Sequence, residues 1–294
     1  MTLEVPRADT VEAGVNERGP DAVELTGVSK TFNAGTSRAV HALDDIDLNV
    51  SAGEFVSLIG PSGCGKSTLL RLIANLIEPT SGTVTVSGKT ASRARAEQDY
   101  GMAFQQAGLF DWRSVVRNVE LPLELKGWSK QRRRDRAMEM LGLVKLEDFA
   151  KHHPWQLSGG MQQRVAIARA LAAAPALLLM DEPFGALDEM TREHMQSELL
   201  RICGETGTSV VFVTHSIPEA VYLAHRVAVM SPRPCRVTGI VTVDLGEQRG
   251  ADSREARHFF DKVIEVREML RGIGGATDDE LAIESMRSGG VEDR

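Results

Sequence analysis

The residues with the plainest chemical purpose are Gly60-Pro61-Ser62-Gly63-Cys64-Gly65-Lys66-Ser67-Thr68, which fit the pattern G-x-x-x-x-G-K-[ST]. Glycines at this spacing let successive backbone N–H groups curl around phosphate oxygens. A helix starting at the lysine adds positive potential at the same place. Lys66 is long enough to reach the β- and γ-phosphates of a nucleotide, and Ser67 offers a hydroxyl to Mg²⁺. A second group is Asp181-Glu182, which ends the apolar run Leu177-Leu178-Leu179-Met180. Set beside the loop, Asp181 would hold Mg²⁺ through its water shell and Glu182 would polarise an attacking water. Two adjacent acids after an apolar strand are, alone, also an ordinary strand end. Their pairing with the Lys66 loop is what points to nucleoside triphosphate binding and hydrolysis.

Both groups must be held at strand ends. Glu54 to Gly60 is a short apolar strand running into the loop, and KSTLLRLIANL behind it reads as a helix, which is the context the motif requires. The core continues with a helix from Met161 to about Ala174, strand ALLLM (176–180), a helix over about Thr191 to Cys203 and strand SVVFVTH (209–215). A short helix at PEAVYLA and strand RVAVM close it. Strands alternating with helices predict an α/β domain with a mostly parallel sheet, the acid-bearing strand lying beside the loop-bearing one. Strand-like segments precede it (AVELTGVSKTF, AVHALDDIDLNV), GTVTVSGK forms a further strand pair, and MAFQQ, from Met102, ends another strand. From Val115 to Phe149 strand formers are few. The texture predicts a helical subdomain, spanning about 106–160, inserted in the core and broken at Pro122 and Gly127.

The flanks differ from this core. Residues 1–21 are polar without periodicity and read as a mobile tail. Past Leu245 a helix is expected in SREARHFFDKVIEVREMLRGI, where Phe259, Phe260, Val263, Ile264, Val266 and Leu270 share one broad stripe suited to packing on the core or on a partner subunit. From Gly272 onward loose order is expected.

Composition limits the alternatives. The 294 residues are 42% hydrophobic and 26% charged, the balance of a globular chain. The longest stretch without charged or strongly polar residues, Ala170 to Met180, is broken by Pro175 and falls far short of the roughly 20 residues of a spanning helix. The N-terminal residues lack an apolar signal core, which argues against secretion. A net charge of −7 argues against a general nucleic-acid binder. Cys64, Cys203 and Cys235 are too few and too scattered for a disulfide framework or a zinc site, so the cytosol is the natural compartment. The run Arg132-Arg133-Arg134 with Arg136 reads as a solvated helix face, with contact to anionic lipid as the functional option.

The segment Leu157-Ser158-Gly159-Gly160-Met161-Gln162-Gln163-Arg164 names a family. It resembles the LSGGQ-type signature of ATP-binding-cassette (ABC) ATPases, with Met161 where many members carry Gln, and the resemblance runs from about Val23 to Leu245. Ser158 can cap a helix whose first N–H groups point outward at an anion. The resemblance implies a P-loop NTPase of the ABC type: a mostly parallel core sheet, an N-terminal antiparallel β-subdomain and an inserted helical subdomain. It places Phe32 against adenine, where a strand-end core role is the alternative. It makes Gln105 a sensor of Mg²⁺ and water, Asp188 a residue of the loop crossing to the partner subunit, and His215 a contact of the γ-phosphate. It implies ATP and Mg²⁺ as cofactors and a second copy of the chain. Each of two ATP molecules would lie between the Lys66 loop of one subunit and Ser158, Gly159 and Gly160 of the other.

The cassette is unfused, which with the family implies a separate transmembrane permease and a place on the cytoplasmic face of the cell membrane. The region from Gln105 to Glu124 is similar to the loop that receives a permease segment. With MSPRP (230–234) it is similar to ATPases of nitrate, sulfonate, taurine and pyrimidine-precursor importers, although Asp111 stands where many of these have Pro. An extracellular solute-binding protein would then be an indirect partner. An exporter cassette or a DNA-repair or translation ATPase are the alternatives. Against the last two, the segment between Lys66 and Ser158 has no heptad run and the chain holds one cassette.

Overall fold

The computed structural model describes residues 21–246 and 249–273. The expected tails lie outside the described residues, except Asp21, Gly272 and Ile273. Two sheets carry the chain. Strand β1 (Val23–Phe32) buries Val23, Leu25 and Val28 and pairs antiparallel with β2 (Val40–Val50). Strands β4 (Ser81–Val86) and β5 (Lys89–Thr90) complete an antiparallel sheet of order β2-β1-β4-β5.

The second sheet has the order β10-β9-β3-β8-β7-β6. Its members are β3 (Phe55–Ile59), β6 (Tyr100–Ala103), β7 (Leu177–Asp181), β8 (Ser209–Val213), β9 (Arg226–Met230) and β10 (Val237–Thr242). The pairs from β9 through β6 are parallel and only β10 runs against its neighbour. Every residue of β3, β7 and β8 is buried, as expected of parallel strands covered on both faces. One sequence expectation fails here: β8 lies between β3 and β7, so the acid-bearing strand is not next to the loop-bearing one. Short apolar strands carry no signal of their order across a sheet.

Helix α1 (Lys66–Ile73) and α2 (Ala91–Ala96) follow β3 and β5, and the core between the two sheets holds Leu69, Leu70, Leu72 and Ile73 of α1. The other core joins the sheet to α3 (Val115–Leu125), α4 (Lys130–Leu143) and α5 (Gly159–Ala172). Pro122 was expected to break the helix but lies inside α3. The proline withholds one N–H from the carbonyl of Asn118, while Val115, Val116, Val119 and Leu123 are buried and hold the helix in place. The chain turns at Gly127 instead, with φ +73° and the Trp128 N–H bonded to Leu123 O at 3.0 Å.

Helices α6 (Glu189–Thr206) and α7 (Ile217–Leu223) complete the core, and α8 (Ala251–Glu255) and α9 (Arg257–Ile273) follow. The expected terminal helix is therefore two helices. Its stripe also divides: Phe259, Val263 and Val266 are buried, while Phe260 and Ile264 are about half exposed, at 52% and 48%. Residues 259, 263, 266 and 270 follow one helical face, and 260 and 264 sit one step round the helix from it. Among the described residues no helix is long and apolar enough to cross a membrane.

Candidate functional site

Strand order assembles the site. Parallel strands lie about 4.8 Å apart, so β3 and β7 are about 10 Å apart across β8. The loop after β3 closes that gap. Ser67, in the first turn of α1, donates its hydroxyl to Asp181 Oδ1 at 2.9 Å. Asp181 is buried at the end of β7, and burial raises its carboxyl above the usual Asp range, with the Ser67 hydrogen bond opposing. Lys66 is buried too, and its ammonium donates to Gly60 O at 2.7 Å and Pro61 O at 2.9 Å. The lysine thus bends back over its own loop. Gly65 has φ +139° and lies against Leu43, Ala42 and Cys235, where a Cβ would stand only 2.7 Å from Leu43 Cδ2.

Glu182 follows Asp181 in the left-handed region, with φ +46°, and its N–H bonds Val213 O at 2.9 Å. Such a conformation costs a non-glycine residue of order 1–3 kcal/mol and is found where a side chain must be aimed. Here it turns the carboxylate to meet two neighbours. His215, just past β8, places Nδ1 3.2 Å from Glu182 Oε2, and Gln105, just past β6, places Nε2 3.5 Å from the same oxygen. Since β8 and β6 flank β7, the sheet itself sets histidine and glutamine on either side of the glutamate.

These groups surround a cavity of 520 Å³ lined by Ser62, Gly63, Gly65, Lys66, Ser67, Thr68, Gln105, Glu182, His215 and Arg233. Pro61 and Cys64 instead line an adjoining hollow of 320 Å³. Gly60 contributes the carbonyl that holds Lys66. Arg233 lines both spaces and donates to Gly63 O at 2.7 Å. Sequence reasoning missed it: MSPRP drew notice for its resemblance, and nothing local showed that its arginine returns to the loop.

The other expected site residues lie apart from this cavity. Ser158 caps α5, accepting from Met161 N–H at 3.3 Å, and Asp188 caps α6, accepting from Thr191 N–H at 3.0 Å, which lowers its carboxyl below the usual range. The two caps are neighbours, because a Cβ on Gly160 would stand 3.1 Å from Ala186 O. Gly159 leads α5, and a Cβ added there would meet nothing within 4 Å. Phe32 ends β1, half-buried, with the Lys30 ammonium 5.2 Å from its ring centre.

The loop after β6 is tied to α5. Gln163 donates to Phe104 O at 2.9 Å, and Arg169 donates to Ala107 O at 2.9 Å and Gly108 O at 2.8 Å. Asn118 closes the rest of it, accepting from Phe110 N–H and donating to the carbonyls of Phe110, Arg113 and Ser114.

The family model described as ABC transporter matches residues 43–185. The chain is 46% identical over 259 residues to a taurine import ATP-binding protein of Rhizobium johnstonii, covering 87% of this chain and 98% of that protein. It is 47% identical over 244 residues to an uncharacterised ABC transporter ATP-binding protein of Methanocaldococcus jannaschii, covering 83% and 90%. Among solved structures, the dimeric post-hydrolysis ATP-binding cassette MJ0796 bound to ADP and phosphate is 40% identical, with a TM-score of 0.70 over 76% of this chain and 99% of that one.

Proposed function

The chain belongs to the ABC transporter family and is an ATPase; on that premise we propose that it is the energising subunit of a membrane importer for a small anion of the taurine or sulfonate type. The observation that carries the ATPase half is the convergence of Lys66, Ser67, Gln105, Glu182 and His215 on one cavity, with Asp181 bonded to Ser67 beside it, from four separate segments. The import half rests on similarity to the taurine import protein over nearly the whole of that protein.

In this reading the loop amides of Ser62 to Thr68 bind the phosphates, and Lys66 leaves the Gly60 and Pro61 carbonyls to reach their outer oxygens. Ser67 and Asp181 fit Mg²⁺, since a hydroxyl and a carboxylate 2.9 Å apart are hard oxygen donors and burial favours a cation on the Asp181 carboxylate. Gln105 would complete their side of the site. When bound, the ion supplies neutralisation of charge gathering on the phosphate oxygens. Glu182 takes up the proton of the attacking water, and His215 and Gln105 hold its carboxylate in place. Phe32 offers a ring for adenine.

Ser158, Gly159, Gly160 and Asp188 lie away from the cavity in their own chain, so a second copy would bring them to it. Hydrolysis then accompanies closing and reopening of a dimer. The separate permease would seat a segment in the 400 Å³ groove lined by Tyr100, Phe104, Phe110, Leu121, Leu125 and Arg169, among others, on the cytoplasmic face of the membrane. A solute-binding protein would act outside, through the permease.

The test is to purify tagged Glu182→Gln protein with ATP from gently solubilised membranes of its own host and identify the chains that come with it. A polytopic permease, with a binding protein that takes up sulfonates, is the expected result. Recovery of ribosomes or DNA-processing proteins alone would remove the importer reading.

A further inference from the structure

Cys64 occupies the middle of the phosphate loop, and the structure places a second thiol directly beneath it. Cys235 comes from the segment that links β9 to β10, and both cysteines are buried, at 2% and 0% exposure. Cys235 is fixed by its backbone: its N–H bonds Ala42 O and its carbonyl accepts from Asp44 N–H, both at 3.0 Å. Its Cβ lies 3.2 Å from where a Cβ on Gly65 would stand, so it sits under the loop itself. Cys64 and Cys235 share one buried cluster, and each thiol is the largest influence on the other's ionisation. The Lys66 ammonium is 3.9 Å from Cys64 Sγ.

That setting activates one thiol and not the other. The neighbouring Cys235 thiol, helped by Lys66 and opposed by burial, holds the Cys64 thiol down at about 6, while Cys235 is pushed up. A thiolate is the reactive form of cysteine, and Cys64 is the thiol with a cation beside its sulfur, the Lys66 ammonium at 3.9 Å, so Cys64 is the nucleophile of the pair. Cys64 is also reachable by a small molecule, since it lines the 320 Å³ hollow with Pro61, Ser62, Gly63, Pro232 and Arg233. The third cysteine contrasts with it: Cys203 is buried in α6 and its thiol is pushed up to about 12 by that burial.

We propose that Cys64 and Cys235 are a modification site, oxidised by hydrogen peroxide to a reversible disulfide that releases the loop's grip on ATP. In the first step the Cys64 sulfur attacks one peroxide oxygen, an S–O bond forms, the O–O bond breaks, and the departing hydroxide leaves as water with the thiol proton. In the second step the Cys235 sulfur attacks Cys64 Sγ. The S–S bond forms, the S–O bond breaks, and the hydroxide takes the Cys235 proton. The two thiols lose two electrons and the peroxide gains them, with two waters formed. A disulfide brings its sulfurs to about 2.05 Å, far inside a non-bonded contact. Because Cys235 is anchored between Ala42 and Asp44, Cys64 must make the move. The loop amides move with it, and displacements of about 1 Å in a binding constellation cost up to about a hundredfold.

The inference rests on the ATP-binding role of the loop and not on the importer assignment, so failure of the membrane purification leaves it standing. The test uses the full chain, reduced and then treated with hydrogen peroxide. Non-reducing peptide mass mapping should show Cys64 linked to Cys235 with the loss of two hydrogens. ATP binding by the same sample should fall roughly tenfold or more and return with dithiothreitol. Bound ATP analogue should slow the linkage, because it draws Lys66 away from Cys64. Cys203→Ser should behave as wild type, and Cys235→Ser should bind ATP normally when reduced yet give no intramolecular link. Either of two results from the wild-type protein alone would overturn the proposal: peroxide treatment without a Cys64–Cys235 peptide, or a linked protein whose ATP affinity stays within about twofold of the reduced form.

Discussion

Two glycines of the phosphate loop, both with positive φ, separate the backbone demand of the loop from its packing. Gly63 has φ +71° with nothing within 4 Å of an added Cβ. Gly65 has φ +139°, and its Cβ would meet Leu43 Cδ2 at 2.7 Å, Ala42 O at 3.1 Å and Cys235 Cβ at 3.2 Å. Leu43 and Cys235 are both fully buried and have nowhere to retreat. Alanine at Gly63 should therefore cost only the conformational penalty, about 1–2 kcal/mol. Alanine at Gly65, whose φ +139° and ψ 2° lie outside the left-handed helical basin, should cost about 1–3 kcal/mol for the backbone and about 1–3 kcal/mol for overpacking, a total of about 2–6 kcal/mol. Against a typical domain stability of about 5–15 kcal/mol both variants still fold. Urea unfolding of the nucleotide-free chain measures this, with an unchanged slope certifying that the same transition is compared. ATP titration should show Gly65→Ala weaker than Gly63→Ala, because relief of the clash moves the amides that grip phosphate. Equal stabilities, within about 0.5 kcal/mol, would mean that the loop yields at Gly65 and that the tight seat described here is wrong.

Glu182→Gln should keep ATP binding, lose turnover by about 10²–10⁴-fold and elute as a dimer when ATP is present; a monomer under those conditions would count against shared sites. Arg233→Ala removes a cation from the nucleotide cavity and the tether on Gly63 O. Since Arg233 is exposed, ATP affinity should fall only about fivefold, and less in high salt, and no change at low ionic strength would show it to be a bystander. Asp181→Asn should stabilise the nucleotide-free fold while abolishing Mg²⁺-dependent binding. The sign follows from the raised carboxyl: its contribution is present at acid pH, where it is neutral, and is lost as pH rises through its folded value. The advantage of the asparagine variant should thus widen as pH rises from the ordinary Asp value of 3.8 through the carboxyl's higher folded value, and a variant less stable than wild type at pH 8 would contradict the burial argument.

What the sequence showed and what it hid divide along one physical line. The phosphate loop was legible because its chemistry demands backbone shapes that glycine supplies, so the demand is written in adjacent residues. The acids at 181 and 182 were legible as a strand end, but their partner was not placed correctly. The strand β8 that separates them from β3 is an apolar run like the others, and only pairing in space orders such runs. Arg233 and Cys235 were invisible as neighbours of the loop for the same reason, as each reaches it through tertiary packing. Phe260 and Ile264 looked like core because a broad stripe does not say where the covering surface ends. The signature segment is a subtler case. Ser158 was readable as a helix cap and is one, and Asp188 caps a helix as well. Their side-chain oxygens are thereby engaged inside their own chain, and neither residue lines the nucleotide cavity. Under the proposed reading, what Ser158 presents to ATP is the start of α5, whose unpaired N–H groups face outward toward whatever docks there. Under that reading, one half of the site is held within each chain, and the other half comes from the docking of a second.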